Sequence, residues 1–346
     1  MRVPGFVRSR IIAPSDPAAA EVSSKVLKQI YPIIDKIVSW LRAFQLFIKL
    51  QQLLQNLLIN ILAAGPVPQH ISFIMDGNRR FAKKMNMPVK RGHEAGGVTL
   101  LSLCYVLKKM GVRCVSAYAF SIENFNRPPE EVNALTNMFA VKLDEFARKA
   151  NDYRDPLYQS RLKIVGDHSL ISEEMREKIK RVEEMTNDGD EFTLFICFPY
   201  TSRNDIWHAT QTSVEECVQQ SLEPRALTVE EFNKKMYLND YSHKCDLLIR
   251  TSGHLRLSDY MLWQVHESGD IKFSPTLWPD FKFFQLYLMI LNWSFFTTIQ
   301  RYIFHGSKKS QSKPAFWNRK KSSKYSLEDL PAAPVAVSIT GERDPS

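Results

Sequence analysis

The chain lacks most of the short signatures by which enzymes disclose their chemistry. It contains no G-x-S-x-G, H-E-x-x-H, G-x-x-x-x-G-K-[ST] or G-x-G-x-x-G. That sets aside nucleophile-elbow hydrolases, zincins, P-loop nucleotidases and Rossmann-type dinucleotide binding. Cysteine is scarce and unpaired: Cys104, Cys114, Cys197, Cys217 and Cys245 are five in number, with no C-x-x-C spacing. This is neither a disulfide framework nor a zinc-site pattern. Leu103 and Tyr105 flank Cys104, and Ile196 and Phe198 flank Cys197, as expected of small apolar core positions in a reducing, cytosol-facing protein. The 13 glycines follow no short period, which excludes a collagen-like chain. A clean secretory signal is missing too, because Pro14, Ser15, Asp16 and Pro17 precede any sustained apolar run.

What is present is an ordinary globular composition, 44% hydrophobic and 24% charged over 346 residues, with a net charge of +9. The charge is unevenly placed. Residues 1–70 hold eight Lys/Arg and three Asp/Glu, residues 306–325 hold seven Lys/Arg and no acid, and residues 71–305 hold 30 of each. A nucleic-acid-binding domain would carry the excess on its own folded face, so nucleic acid is not an expected partner. Basic ends around a neutral body suit an anionic membrane surface, or are simply solvated tails.

Three segments follow. Residues 1–65 end in a helical pattern from Val26 to Ala64, in which Leu46, Leu50, Leu53, Leu54, Leu57, Leu58 and Ile61 form one apolar stripe. Such a helix either lies in a membrane surface or packs on the body. Gly65-Pro66-Val67-Pro68 breaks it and opens the main domain, 66–305; residues 306–346 are a basic, low-complexity tail. Within the main domain the strand candidates Ile71–Met75, Cys114–Ala119, Leu162–Val165, Phe192–Phe198 and Asp246–Ile249 alternate with helical stretches such as Glu130–Ala150. That alternation predicts an α/β fold with a mostly parallel sheet flanked by helices, and ligands beyond the carboxyl ends of the strands. Phe283–Gln300 is charge-free, but Gln285, Asn292, Ser294, Thr297, Thr298 and Gln300 argue for a helix buried in the core or a subunit interface rather than a membrane span.

The most informative stretch runs from His70 through Met75 to Asp76-Gly77-Asn78-Arg79-Arg80-Phe81: an apolar strand ends and a basic helix opens. Helix N-terminal N–H groups, a glycine allowing close approach and bidentate arginines make a phosphate site. A carboxylate there makes sense if Mg²⁺ lies between it and phosphate. A capped turn with surface arginines would look much the same. A second cluster, Arg250-Thr251-Ser252-Gly253 through Arg256-Leu257-Ser258, again joins a strand end to paired arginines, although a surface loop explains it nearly as well. Ser121-Ile122-Glu123-Asn124-Phe125-Asn126-Arg127 follows another strand and falls on the same rim.

Together these stretches resemble the cis-prenyltransferase family, the undecaprenyl and dehydrodolichyl diphosphate synthases. The resemblance covers about residues 66–300. Its motifs occur in family order: H-x-x-F-I-M-D-G-N-R-R, A-F-S-x-E-N-F-x-R-P, Gly166-Asp167, F-x-Y-T-S-R, I-R-T-S-G-x-x-R-L-S and L-W-P-D-F. The D-D-x-x-D of the all-helical prenyl synthases is absent. The Asn78-Arg79-Arg80 variant and the extended ends look most like eukaryotic, in particular fungal, dehydrodolichyl diphosphate synthase catalytic subunits.

The resemblance implies condensation of farnesyl diphosphate with successive isopentenyl diphosphates to a long polyprenyl diphosphate, a dolichol precursor, with Mg²⁺ as cofactor. It implies Asp76 as the metal-linked carboxylate and Gly77, Asn78, Arg79, Arg80, Phe81 and His93 as the allylic diphosphate site. Asn124 would assist proton removal, with Ser121, Ile122, Glu123 and Phe125 beside it and Arg127 as a brace. Arg250, Arg256, Leu257 and Ser258 would bind isopentenyl diphosphate. Asp270 stands where bacterial relatives carry a metal-binding Glu, and Val89 where an Arg is usual, with Lys90 or Arg91 as substitutes. Lys149–Ser160 is expected to lengthen the wall of the product channel. No Arg-x-Gly occurs in the chain; self-sufficient members supply one across a dimer. The expected partner is therefore an accessory subunit of the Nogo-B receptor type, with Phe283–Gln300 at the interface. The expected location is the cytosolic face of the endoplasmic reticulum or the lipid-droplet surface. A non-catalytic subunit of the same fold is the alternative; it would be expected to lose Asp76 and the paired arginines, which are kept here.

Overall fold

A computed structural model describes residues 48–219, 227–241 and 244–305. Most of the predicted N-terminal segment, its Val26–Phe47 half-helix included, and the tail 306–346 lie outside the described residues. Residues 48–63 are helical, here α1. Among the described residues, 48–57 fall in one unit and those from Leu58 onward in another. Ile59 and Leu62 are buried in the core of the second unit, so that unit begins before the Gly65-Pro66 break that composition marks.

The body alternates strand and helix. β1 is His70–Ile74, α2 Asn78–Lys84, α3 Val89–Met110, β2 Cys114–Tyr118, α4 Pro129–Asn151, β3 Ser160–Val165 and α5 Glu173–Met185. β4 is Phe192–Cys197, α6 Ser202–Val218, α7 Val229–Lys235, β5 Leu247–Arg250, α8 Leu262–Val265, β6 Asp270–Phe273 and α9 Phe283–His305. The strands form one six-stranded sheet in the order β3-β4-β2-β1-β5-β6, and every pairing is parallel. The inner strands are mostly apolar because helices cover both their faces; every residue of β1 and β4 is buried, His70, Ser72 and Thr193 included. The five expected strands are present. β6 was not legible because Asp270-Ile271-Lys272-Phe273 is a half-exposed edge strand with alternating polar residues.

Register sets the site. Ile74 lies opposite both Tyr118 and Arg250, and Tyr118 opposite Cys197, so the chain leaves β1, β2, β4 and β5 at one rim. Four of the cysteines are buried and all five are free; burial pushes the Cys104, Cys197 and Cys245 thiols far up. Gly166 adopts φ +143, and a Cβ there would come within 1.9 Å of the Pro199 carbonyl. Asp167 accepts from Ser169 and Asn204. The Gly166-Asp167 motif thus builds the β3–β4 corner.

Helix α9 is only half buried. Leu286 and Ile290 are inaccessible, whereas Phe284, Leu288, Leu291, Phe295 and Tyr302 are exposed. Among the described residues no helix is long and apolar enough to cross a membrane. Of the expected apolar stripe in α1, Leu50, Leu53, Leu54, Leu57 and Ile61 are exposed, Leu58 packs against the core, and Leu46 lies outside the described residues. Truncating a core side chain should cost far more than truncating an exposed one. Leu107→Ala, on a fully buried residue, is expected to lower unfolding free energy by about 2–5 kcal/mol. Ile61→Ala should stay within about 0.5 kcal/mol; denaturant titration of both variants checks the contrast.

Candidate active site

The segment after β1 is fixed from three sides. The Asp76 carbonyl accepts the Trp278 N–H at 3.0 Å and the Thr251 hydroxyl at 2.9 Å. Gly77 takes φ +111, which disfavours any side chain, and lies against Leu277, where a Cβ would be tight at 3.0 Å. Gly92 and Gly96 on α3 let the Asn78 turn sit close: Cβ atoms there would fall 2.5 Å from the Asn78 carbonyl and side-chain oxygen respectively. Trp278 closes the same spot, its indole N–H donating to the Gly96 carbonyl at 2.8 Å.

Asp76 and Arg250 meet directly. The Arg250 Nη2 donates to Asp76 Oδ2 at 3.0 Å, and its Nη1 donates to the Arg256 carbonyl at 2.5 Å and to Ser258 Oγ at 2.7 Å. The Arg250 side chain is 4% exposed. Arg80 lies 3.5 Å from Asp76 Oδ1 and donates to the carbonyl and hydroxyl of Ser252. Burial alone would raise the Asp76 pKa. Its hydrogen bond to Arg250 and the charges of Arg250 and Arg80 outweigh that and hold the carboxyl below its usual range. The loop after β5 bends through left-handed residues at Ser252, Gly253, Ser258, Asp259 and Met261, a costly path for non-glycine residues.

On the other side, Ile122–Asn126 is a 3-10 turn capped by Ser121, whose hydroxyl accepts from the Glu123 N–H. Asn124 Oδ1 accepts the Ser121 N–H at 3.0 Å, which leaves its amide NH₂ as the group available to a ligand. Glu131 gathers Arg127 at 3.0 Å and Arg79 at 3.7 Å. His93 sits behind this group; burial and the neighbouring Arg127 and Arg79 outweigh Glu131 and lower its pKa to about 4. Three buried polar atoms here have no partner: Asn78 Oδ1, His93 Nε2 and Arg250 Nε. Buried polar groups are normally paired, so orphans at one rim mark a place built for a polar ligand.

Below the rim lies an apolar cavity of about 140 Å³. Met75, Asn78, His93 and Gly96 line it near the polar groups, and Phe139, Phe146, Leu162 and Leu194 line it further in. The site therefore joins an anion-binding rim to an oily compartment.

Most of the expected site residues converge: Asp76, Gly77, Asn78, Arg79, Arg80, Ser121, Glu123, Asn124, Arg127, His93, Arg250 and Ser258. The two arginines of α2 part company, Arg79 going to Glu131 and Arg80 to Ser252. Phe81 is half-buried, as are Ile122 and Leu257; Phe125 and Arg256 are exposed. Asp270 is not brought to the group within this chain. It pairs opposite Leu247, three residues before Arg250, about 10 Å from the rim, and its carboxylate takes Lys272 at 2.8 Å. Arg91 is spent on Glu94 at 3.6 Å. Arg203 was not singled out, although the F-x-Y-T-S-R motif contains it. It donates to Asp259 at 2.7 Å and Glu123 at 3.3 Å, linking the two rim loops.

The chemistry fits Mg²⁺ carried in by its ligand. Among the described residues no group of three potential ligands clusters, and Asp76 is a single carboxylate amid arginines. Mg²⁺ commonly takes one or two carboxylates and completes its shell with phosphate and water.

Residues 74–299 match the family model described as putative undecaprenyl diphosphate synthase. The chain is 54% identical to dehydrodolichyl diphosphate synthase complex subunit SRT1 of Saccharomyces cerevisiae, over 99% of this chain and 100% of that one. It is 35% identical to dehydrodolichyl diphosphate synthase complex subunit DHDDS of Homo sapiens, over 73% of this chain and 74% of that one. The crystal structure of lavandulyl diphosphate synthase from Lavandula x intermedia with dimethylallyl diphosphate superposes with a TM-score of 0.60 at 25% identity, over 66% of this chain and 95% of that one. The chain belongs to the cis-prenyltransferase family.

Two pH effects follow. Asp76 is held low, so its share of stability is present above the ordinary carboxylate pKa and lost as pH falls through the lowered folded value. Arg250→Met should move that acid limb to higher pH in an acid-unfolding series. His93 is also depressed. The stability tied to its neutral ring is complete above pH 6.5 and lost as pH falls toward about 4. NMR titration should find the imidazole neutral at pH 5; titration near 6.5 would contradict its burial.

Proposed function

We propose that this chain is the catalytic subunit of a dehydrodolichyl diphosphate synthase, extending farnesyl diphosphate with isopentenyl diphosphates into a long polyprenyl diphosphate. The observation that carries this reading is the Asp76–Arg250 pair at the mouth of the apolar cavity. It joins the two arginine-bearing strand ends into one place for two diphosphates.

In this reading the α2 N-terminus, Asn78, Arg79 and His93 hold the allylic diphosphate, with its chain running past Phe81 into the cavity. Arg250, Arg256 and Ser258 hold isopentenyl diphosphate, and Leu257 packs beside them. Asp76 would hold Mg²⁺ together with diphosphate oxygens. The bound ion would supply a charge that steadies the departing pyrophosphate. The arginines stabilise the same charge. The Asn124 NH₂ donates to a diphosphate oxygen. Its amide oxygen is taken by Ser121, so the proton lost from the isopentenyl unit goes to diphosphate. Phe125 and Ile122 cover the reacting carbons, and Arg127, braced by Glu131, holds this loop in place.

The partner is an accessory subunit of the Nogo-B receptor type. Three features support it: both reported relatives are named complex subunits, the single chain does not bring Asp270 to the site, and α9 presents an outward seam. Phe284, Leu288, Leu291 and Phe295 recur at the three- and four-residue steps of a helix interface, and Tyr302 follows one heptad on. The exposed leucines of α1 and the oily product support work at a membrane surface, the endoplasmic reticulum or a lipid droplet.

Incorporation of labelled isopentenyl diphosphate onto farnesyl diphosphate tests the activity, with and without the partner. Asp76→Ala should cut turnover by about 10² or more. Arg256→Ala should act mainly through KM for isopentenyl diphosphate. Chelating Mg²⁺ should abolish turnover. Absence of product with the partner present would favour the non-catalytic alternative. Leu288→Glu with Phe295→Glu should abolish co-purification of the partner while leaving the chain's own Tm within a few degrees; an intact complex would place the interface elsewhere.

A further inference from the structure

The cavity beneath the rim is smaller than the chain it must serve. Its volume is about 140 Å³, and an apolar cavity of about 150 Å³ accommodates one benzene. A farnesyl group already exceeds that, and each condensation adds another isoprene unit. The growing chain has to pass through a wall, and the walls differ in how they are held.

The sheet wall, with Leu162, Leu194 and Ile196, is continuous parallel strand. The far end, beyond Phe146, is tied down by the segment 152–159. Leu157 is wholly buried. Lys149 reaches both Tyr105 and Asp155 at 3.1 Å, and Lys108 reaches Glu191 at 3.1 Å as well as the Tyr158 carbonyl. The rim end of α4 is clamped by Glu131 with Arg79 and Arg127.

Between those clamps, α3 faces α4 at Gly97, whose neighbour Gly96 turns instead to Asn78 and Trp278, and no described hydrogen bond or ion pair crosses there. Gly96 has no room, but a Cβ on Gly97 would meet only the aliphatic stem of Lys142, at 3.7 Å. Lys142 lines the cavity away from Asn78 and His93, among Leu135, Met138, Phe139 and Leu143. Its ammonium pairs at 2.5 Å with Glu145, three residues on in the same helix, so the pair binds α4 to itself and not to α3. The stem covers apolar surface while the head stays near water. A rotamer change, which costs little in time, uncovers the gap.

We propose, on the prenyl-elongation reading above, that the product leaves the cavity sideways between α3 and α4 at Gly97, with Lys142 as the movable closure. Lys142 then has a part in product length: it seals the cavity around short intermediates and yields to long ones.

The test uses the full chain with its accessory subunit, farnesyl diphosphate as starter and chromatography of the products. Gly97→Leu fills the gap and suits a helix better than glycine does. It is expected to lose the long products and accumulate short ones, while Lys142→Ala keeps the long ones. A farnesyl diphosphate analogue with a diazirine at its far end gives an independent readout on the unsubstituted chain. After elongation, crosslinks should fall on 97–101 and 138–142. Crosslinks on 152–159, or an unchanged product ladder in Gly97→Leu, would overturn the lateral exit and place growth along the far wall. If Gly97→Leu does not fold, the crosslinks decide. Absence of any elongation by the unsubstituted complex would overturn the proposed function itself, and the lateral exit with it.

Discussion

A guanidinium buried to the extent of Arg250 has to be met by a carboxylate and by acceptors on every side it can reach, because an unpaired buried charge is far more costly than a paired one. Asp76 supplies the charge, and the Arg256 carbonyl and Ser258 hydroxyl supply the acceptors. That single requirement explains much of the surrounding backbone. The loop after β5 must curl back through left-handed residues to bring Ser258 within reach of the strand end it has just left. Asp76 must stand off from β1, which Thr251, Trp278 and the shape of Gly77 arrange. Only Arg250 Nε is left without a partner, so the network is complete but for one donor.

The second constraint is the change of polarity across a very short distance. Asn78, His93 and Gly96 stand at the border: above them are arginines, below them phenylalanines and leucines. A diphosphate ester of an isoprenoid has the same abrupt division, so its reacting carbons lie at the border when its two halves are satisfied. The depressed pKa of His93 belongs to this position. A ring pressed between an oily cavity and two arginines stays neutral, and a neutral ring offers a hydrogen bond without adding repulsion among the cations.

The fold was legible in the apolar runs. Strands buried on both faces are written as short uninterrupted hydrophobic stretches, and the five central ones stand out for that reason. β6 did not, because an edge strand with Asp270 and Lys272 shares its composition with a loop. The rim residues were legible as strand ends followed by glycine and arginine. Their division of labour was not. Adjacent Arg79 and Arg80 look equivalent until α2 turns one toward Glu131 and the other toward Ser252. Arg203 was hidden for a related reason: it opens α6, and only the tertiary fold brings it to Asp259 and Glu123. Asp270 stands at the other end of β6 from the rim within the chain; motif spacing places a carboxylate in a strand without saying which end of that strand faces the chemistry.

Helix α9 shows how composition conceals two roles in one segment. A helix whose buried face alone mattered would carry charges on the other, and the sequence would show an amphipathic period. Here Leu286, Tyr287 and Ile290 face the core while Phe284, Leu288, Leu291 and Phe295 face outward, so no apolar period emerges and the stretch is merely charge-free. An outward aromatic seam of that kind adds nothing to the stability of the body and lowers its solubility, which is the usual mark of a surface that is covered in the working assembly. The same reasoning separates it from Lys142. A lone cation in an apolar wall, paired only within its own helix, is not a covered surface but a covering one.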